Sequence, residues 1–278
     1  MRPCQYKSTN DMKILSIVVG VFLFVPVSLP QDPGTALPFY YVGHRGASYL
    51  APENTMASIQ LAWKLGAEAA ECDIMLTADQ QIVLFHDANT KRLTGKNLTV
   101  KESTWDQLKA LTIRHGENNL PEYTHETIPL LEEVLGAIPE DRMLVIEIKT
   151  GPEILPLLEK VIASHWKSGL ISFIAFDFET IKQVKIRYPD IPCYYLSMFR
   201  ADFNKHLVAV VESGLDGVDL RYNIINEKLM ERCRTSGLDV WCWTVDDPET
   251  ALEMKALGVS AVTTNRPAWL KSRMVEGN

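Results

Sequence analysis

Short apolar runs of four to eight residues recur along the chain, and most are followed by a stretch with helical spacing. The first, Tyr40-Tyr41-Val42-Gly43, ends in the polar His44-Arg45-Gly46. From Asn54 to Leu65, the residues Met56, Ile59, Ala62, Trp63 and Leu65 fall near a helical period, with Asn54 or Thr55 as cap and Gly66 as stop. Ala69 to Leu76 reads as the second strand. Later units repeat the scheme: strands at Leu144–Ile148, Ile171–Phe176, Pro192–Leu196, Gly217–Leu220, Val240–Val245 and Ser260–Thr263. Each precedes a helix, at Pro152–Ser164, Glu179–Arg187, near Lys205–Ser213, Asn226–Ser236, Pro248–Leu257 and Pro267–Met274. Eight alternating units in about 240 residues fit an α/β fold of the closed (β/α)8 TIM barrel kind better than an open doubly wound sheet. The helices supply the outer layer that parallel strands, buried on both faces, require.

Segment 77–140 interrupts the alternation. Thr77 to Gln81 is polar and turn-like, and Ile82-Val83-Leu84-Phe85 returns as a hairpin strand to His86-Asp87. Residues 88–128 are polar, with one short amphipathic stretch at Thr104–Leu111, and predict a small inserted subdomain after the second barrel strand. Such insertions on the C-terminal face of a barrel carry specificity loops.

The N-terminus has a different pattern. Ile14 to Val27 is uncharged and almost wholly apolar, and Arg2, Lys7 and Lys13 precede it. The run is short for a membrane span, which takes ~20 residues, and suits the core of a secretory signal. Residues 1–36 are therefore expected to be a signal peptide and short leader, cleaved near Val27-Ser28-Leu29 or Gly34-Thr35-Ala36, with an uncleaved anchor as the alternative. The barrel domain is expected over 39–274. Export to the periplasm or medium follows, without stable membrane insertion of the mature protein.

The chain has 278 residues, 46% hydrophobic and 23% charged, the balance of a globular protein. Its net charge is −7, and removal of residues 1–30 leaves −9. An acidic chain is repelled by phosphate backbones, so nucleic acid is not an expected partner. Of the five cysteines, Cys72, Cys193, Cys233 and Cys242 lie beyond the leader, none in a Cys-x-x-Cys pair. Neither a zinc site nor a disulfide is expected.

Charged residues gather where the predicted barrel strands end: His44 and Arg45, Glu71 and Asp73, His86 on the hairpin, and Glu147 and Lys149. Alternation puts Glu71 and Asp73 on one face, and Glu147 and Lys149 flank Ile148 in the same way. Each pair alone is ordinary, but here they stand in otherwise apolar strands, where an unpaired charge costs several kcal/mol to bury. Three converging carboxylates resist ionising together unless a cation neutralises them. Three oxygen ligands suit one hard divalent cation, Ca²⁺ or Mg²⁺.

HRGASYLAPENTMASI, ECDIMLTADQQIVLFHD, IPLLEEVL, VIEIKT, WCWTVDD and TTNRP occur in this order from about Tyr41 to Trp269. In this combination the chain resembles the glycerophosphodiester phosphodiesterase family. The resemblance implies metal-dependent hydrolysis of a small-molecule glycerophosphodiester, a deacylated phospholipid, to sn-glycerol 3-phosphate and an alcohol. It makes His44 and His86 the general acid and base, in either order, since one hydroxyl must lose a proton and a leaving alkoxide must gain one. Arg45 and Lys149 match the residues that hold the phosphate, and Glu71, Asp73 and Glu147 match the metal ligands. Glu53 and Asn54 match residues that organise the first loop behind the metal, and Trp243 one that lines the glycerol pocket. The family's W-T-V-N reads Trp243-Thr244-Val245-Asp246 here, an extra carboxylate near the mouth expected to bear on head-group preference. His115, His125, His165 and His206 are expected at the surface or in loops. The alternatives are a lysophospholipase D-like or phospholipase C-like lipid phosphodiesterase, with an apolar rim around 88–128, and a catalytically silent binding protein of the same fold.

Overall fold

The computed structural model describes residues 39–114 and 116–276. Eight parallel strands close into a barrel in chain order: β1 (Tyr40–Gly43), β2 (Ala69–Leu76), β4 (Met143–Ile148), β5 (Leu170–Ala175), β6 (Cys193–Ser197), β7 (Gly217–Arg221), β8 (Asp239–Trp243) and β9 (Ala261–Thr264). Pairing of β9 and β2 with the two edges of β1 completes the circle. β3 (Ile82–Leu84) runs antiparallel along β2, with Leu84 opposite Ile74, as the hairpin pattern predicted. The (β/α)8 barrel is thus the architecture of the chain.

Side-chain alternation separates the barrel into two cores. Val42, Ala69, Val145, Ile174, Tyr194, Leu196, Trp241 and Ala261 pack inside the barrel as one cluster. Their neighbours Cys72, Ile74, Ile146, Phe173, Tyr195, Val240 and Cys242 join the helices in the larger outer cluster. The inner floor is filled by Tyr194 stacked on Trp241, ring centroids 4.1 Å apart. Gly217 leaves room for that stack: a Cβ there would come within 2.7 Å of the Tyr194 ring and 2.3 Å of the Asp239 carbonyl. With the strand starts plugged by aromatic rings, space for a ligand is left at the strand ends.

The helices begin at that same end. Thr55 caps helix Met56–Lys64, its Oγ1 accepting from Ser58 N at 3.1 Å. Asp177, Asn226 and Asp247 cap the helices Phe178–Arg187, Glu227–Thr235 and Pro248–Leu257 in the same way. Helix Arg200–Glu212 starts five residues before the expected Lys205, because its first turn carries mostly polar residues that give no apolar period. β8 ends at Trp243, two residues short of the expectation, and the five-residue helix Leu131–Leu135 was not foreseen. The short helix expected over Thr104–Leu111 is present as Trp105–Lys109.

Within 88–128, Val100, Leu108, Leu111 and Ile113 pack with Val83, Phe85 and Ile128 as a third apolar cluster, separate from both barrel cores. Cys72, Cys193, Cys233 and Cys242 are all buried free thiols. His125 is exposed and His165 half-exposed, but His206 sits on a helix, its Nδ1 2.9 Å from Tyr195 Oη and its ring stacked on Phe178. His115 and the apolar run over 14–27 lie outside the described residues, and no described helix is long and apolar enough to cross a membrane.

Candidate active site

β2 and β4 set the centre of the site. Glu71 and Asp73 point to the same side of β2, and register places Glu147 of β4 beside Asp73. One oxygen from each of the three carboxylates lies within 4.8 Å of the others. Glu71 and Asp73 are fully buried, and Glu71 Oε1 and Asp73 Oδ1 have no hydrogen-bond partner. Burial first, then the charges of Asp73 and Glu147, push the Glu71 carboxyl well above its usual range. Burial and Asp73 likewise lift Glu147 to about 7, against the pull of Lys149. Orphaned carboxylate oxygens that repel one another and offer only oxygen donors fit a hard divalent cation, and do not fit zinc.

The loop after β1 is bent onto this cluster. Arg45 and Gly46 both take left-handed backbone angles, φ 54° and 83°. A Cβ at Gly46 would lie 2.3 Å from the Ser58 carbonyl carbon, so only glycine lets the loop sit against the first helix. The turn aims Arg45 N at Glu71 Oε2, to which it donates at 2.7 Å, and brings the guanidinium Nε within 3.3 Å of Asp73 Oδ2. Asn54, also left-handed at φ 55°, spans Asp73 from behind. Its Nδ2 donates to Asp73 Oδ2 at 2.8 Å, and its Oδ1 accepts from Asp73 N at 3.0 Å. Just beyond β4, Lys149 places Nζ 2.7 Å from Glu147 Oε1 and 3.6 Å from Asp73 Oδ1.

The two sequence-identified histidines are each held at Nδ1. His44 Nδ1 lies 2.8 Å from Asn265 Oδ1, and His86 Nδ1 lies 2.8 Å from Asp87 Oδ1. Burial and the adjacent Arg45 charge lower the His44 pKa, only partly offset by the Asn265 hydrogen bond. His44, Arg45, Glu71, His86, Glu147, Lys149 and Trp243 all line one cavity of about 350 Å³ at the strand ends. Its other wall is apolar, made by Ile174, Phe176, Leu196 and Met198. Trp243 meets Phe176 edge to face at 5.6 Å and donates from Nε1 to the Asp219 carbonyl oxygen at 3.2 Å. All ten sequence-identified residues therefore stand at this one end of the barrel, Asp73, Glu53 and Asn54 just behind the cavity wall.

Residues that sequence reasoning passed over complete the site. Asp219 lines the cavity, fully buried, with Oδ1 unpartnered, and burial followed by the charge of Glu147 drives its carboxyl well above the ordinary value. Its signal was present in the sequence: a carboxylate inside the apolar run Gly217–Leu220. Arg92, from the helix Lys91–Thr94, donates twice to Glu53 at 2.8 Å and once to Asp87 at 2.6 Å. Burial alone would raise Glu53, but the Arg92 and Arg45 hydrogen bonds and charges hold it at about 2. One guanidinium thus braces the partner of His86 and the partner of Arg45 together. Arg92→Ala is expected to lower kcat/KM about tenfold while changing stability by less than about 1 kcal/mol, because Arg92 is nearly half exposed. Steady-state kinetics and a thermal melt on the variant check this, and an unchanged kcat/KM would show that Glu53 and Asp87 need no brace. Asp246, expected to bear on the head group, accepts hydrogen bonds from Thr264 at the end of β9 and from Asn265 after it.

The model of the glycerophosphoryl diester phosphodiesterase family matches residues 44–269. A glycerophosphodiester phosphodiesterase of Caldanaerobacter subterraneus is 31% identical over 243 residues, covering 85% of this chain and 98% of that protein. A lysophospholipase D of Rattus norvegicus is 37% identical over 158 residues, 53% of this chain and 50% of that one. The structure of an Oleispira antarctica phosphodiesterase in complex with its product sn-glycerol-3-phosphate superposes with a TM-score of 0.77 at 27% identity, covering 86% of this chain and 97% of that one. With its barrel, its strand-end cavity and a family match spanning the described site, the chain belongs to the glycerophosphoryl diester phosphodiesterase family, a family of phosphodiester-hydrolysing enzymes.

Proposed function

We propose that this chain hydrolyses glycerophosphodiesters to sn-glycerol 3-phosphate and an alcohol, with His44 as general base, His86 as general acid, and one divalent cation held by Glu71, Asp73 and Glu147. The observation that carries this reading is the convergence of both histidines, two of the acidic residues and two cationic side chains on one cavity. When bound, the cation supplies a Lewis acid for a phosphoryl oxygen. Arg45 and Lys149 add positive charge on the same side, as negative charge builds on the phosphate oxygens.

His44 suits the base because burial and Arg45 favour its neutral form. It takes a proton from the attacking hydroxyl, whether of water or of the substrate's own glycerol. His86 suits the acid because Asp87 Oδ1, 2.8 Å from Nδ1, pairs with the ring whenever it carries the proton to be given. That proton goes to the alkoxide as its bond to phosphorus breaks. Trp243 and Phe176 offer an apolar wall for the carbon skeleton of the glycerol or the head group. The apolar run over 14–27, after three basic residues, supports export of the mature protein.

The test is incubation of the mature protein with glycerophosphocholine and Mg²⁺ or Ca²⁺, with glycerol 3-phosphate and phosphocholine quantified separately. Glycerol 3-phosphate is the expected product, and phosphocholine would place the cleavage on the wrong bond. A second reading rests on the rim: Phe176 and Phe199, 37% and 61% exposed beside the cavity-lining Met198, extend the apolar wall toward solvent. It stands after β5 and β6, not around 88–128 where a lipid-directed rim was expected. Such a wall suits an acyl chain, so lysophosphatidylcholine belongs in the same assay, where a higher kcat/KM than for glycerophosphocholine would favour the lipid substrate.

A further inference from the structure

Asp246 lies three residues beyond β8 and is not among the residues lining the cavity. Its carboxylate accepts three hydrogen bonds, one from the last residue of β9 and two from the residue that follows it. Oδ1 accepts from Thr264 Oγ1 at 2.7 Å and from Asn265 N at 2.8 Å, and Oδ2 accepts from Asn265 Nδ2 at 2.6 Å. An ionised carboxylate has no proton to give, so the end of the Asn265 amide that faces it is the NH₂ group. Turning that amide over would press two oxygens together at the 2.6 Å now spanned by a hydrogen bond. The amide oxygen is thereby directed the other way, where it accepts from Ser48 Oγ at 3.0 Å and lies 2.8 Å from His44 Nδ1. An amide oxygen only accepts, so Nδ1 of His44 carries the ring hydrogen. Nε2 is then the nitrogen with a lone pair whenever the ring is neutral.

We propose that Asp246 is a positioning residue that fixes the tautomer of His44 through Asn265, so that Nε2 is the proton acceptor. This deepens the reading of His44 as the base and rests on it for its catalytic consequence. A neutral imidazole has two tautomers, and only the one with a bare nitrogen toward the attacking hydroxyl works as a base. Asn265 by itself does not choose between them, because its amide offers an acceptor in one orientation and a donor in the other. The carboxylate behind it makes the choice, since it has acceptors only.

The replacement Asp246→Asn inverts this logic without changing shape. The new amide has one acceptor, which Thr264 Oγ1 and Asn265 N claim, and its NH₂ group then faces Asn265. That turns the Asn265 amide over, presents its NH₂ group to His44 Nδ1, and moves the ring hydrogen to Nε2. The exchanged pair Asp246→Asn/Asn265→Asp restores an acceptor-only group against His44 Nδ1, with the donor now coming from position 246.

Long-range ¹H–¹⁵N spectra of histidine-labelled, Mg²⁺-supplied protein distinguish Nδ1–H from Nε2–H rings, with the His44 signals identified by their loss in His44→Ala. The unsubstituted protein is expected to show Nδ1–H at His44, and Asp246→Asn to show Nε2–H. In steady-state assays with glycerophosphocholine, Asp246→Asn is expected to lose at least ~10²-fold in kcat with KM changed less than about threefold. The exchanged pair is expected to recover about tenfold or more of that loss and to return the Nδ1–H signal. An Nε2–H ring in the unsubstituted protein overturns the proposal, and so does a kcat within about twofold of normal in Asp246→Asn when His44→Ala is itself inactive. Equal loss in the single and exchanged variants also overturns it, since that would mark a merely structural role. The spectra do not depend on turnover. A tautomer that follows residue 246 while His44→Ala stays active would uphold the lock and reject His44 as the base.

Discussion

His44→Ala is expected to lower kcat by at least ~10²-fold, the low end of what general acid–base catalysis contributes. The ring is half-buried, its Nδ1 is committed to Asn265, and no other imidazole stands on the β1 side of the cavity among the described residues. Its pKa is lowered from the usual 6.5, so the base form already dominates at neutral pH. A base works deprotonated, so kcat/KM should rise with pH through that lowered value, and its acid limb should sit below 6.5. The same direction bears on folding. A histidine whose folded pKa is depressed takes up its proton more readily when unfolded, so His44 withdraws stability as pH falls below 6.5. The variant should lose that part of the pH dependence together with the activity. Measurement of kcat for glycerophosphocholine at neutral pH decides the matter, and an undiminished value would take His44 out of the mechanism.

Removal of divalent cations with a chelator is expected to abolish turnover and to lower the melting temperature, with both restored by Mg²⁺ or Ca²⁺. The stability change should depend on pH in a particular direction. In the metal-free protein the Glu147 carboxyl is held near 7 rather than at its ordinary 4.5, and Glu71 is also raised. Between those values the folded chain keeps a proton that the unfolded chain has released, so metal-free stability falls as pH rises through 4.5 to about 7. Loading the site needs the same carboxylates ionised, so cation affinity grows over that window. The gap in melting temperature between loaded and chelated protein should therefore widen from about pH 5 to about pH 7. At a cation concentration a hundred times Kd, the stabilisation should approach about 2.7 kcal/mol. Superimposable melts with unimpaired turnover in chelator would remove the cation from this chain's chemistry.

The barrel was legible because its strands are mostly apolar runs bounded by polar residues and followed by stretches with helical spacing. β1 and β2 have the bounds that those runs predict. The site was legible wherever it obeys alternation: Glu71 and Asp73 share a face because they are two apart, and an apolar strand is a poor place for either without a counter-charge. Asn265, Asp87 and Arg92 obey no such rule. They sit in loops or on a four-residue helix, and their value comes from what the closed barrel brings beside them. Asp246 shows the limit most directly. Its chemistry was visible in the sequence, but its direction was not: the carboxylate expected near the mouth is engaged by Asn265.

The hairpin strand β3 and the small apolar cluster that follows it carry His86, while His44, Lys149 and the three carboxylates belong to the barrel proper. The two histidines proposed to move protons therefore stand on different pieces of chain, a hairpin and the barrel, joined by the β2–β3 ladder. A change in the excursion beyond the hairpin that spares Arg92 reshapes the surroundings of His86 alone, whereas one that removes Arg92 reaches Arg45 as well, through Glu53.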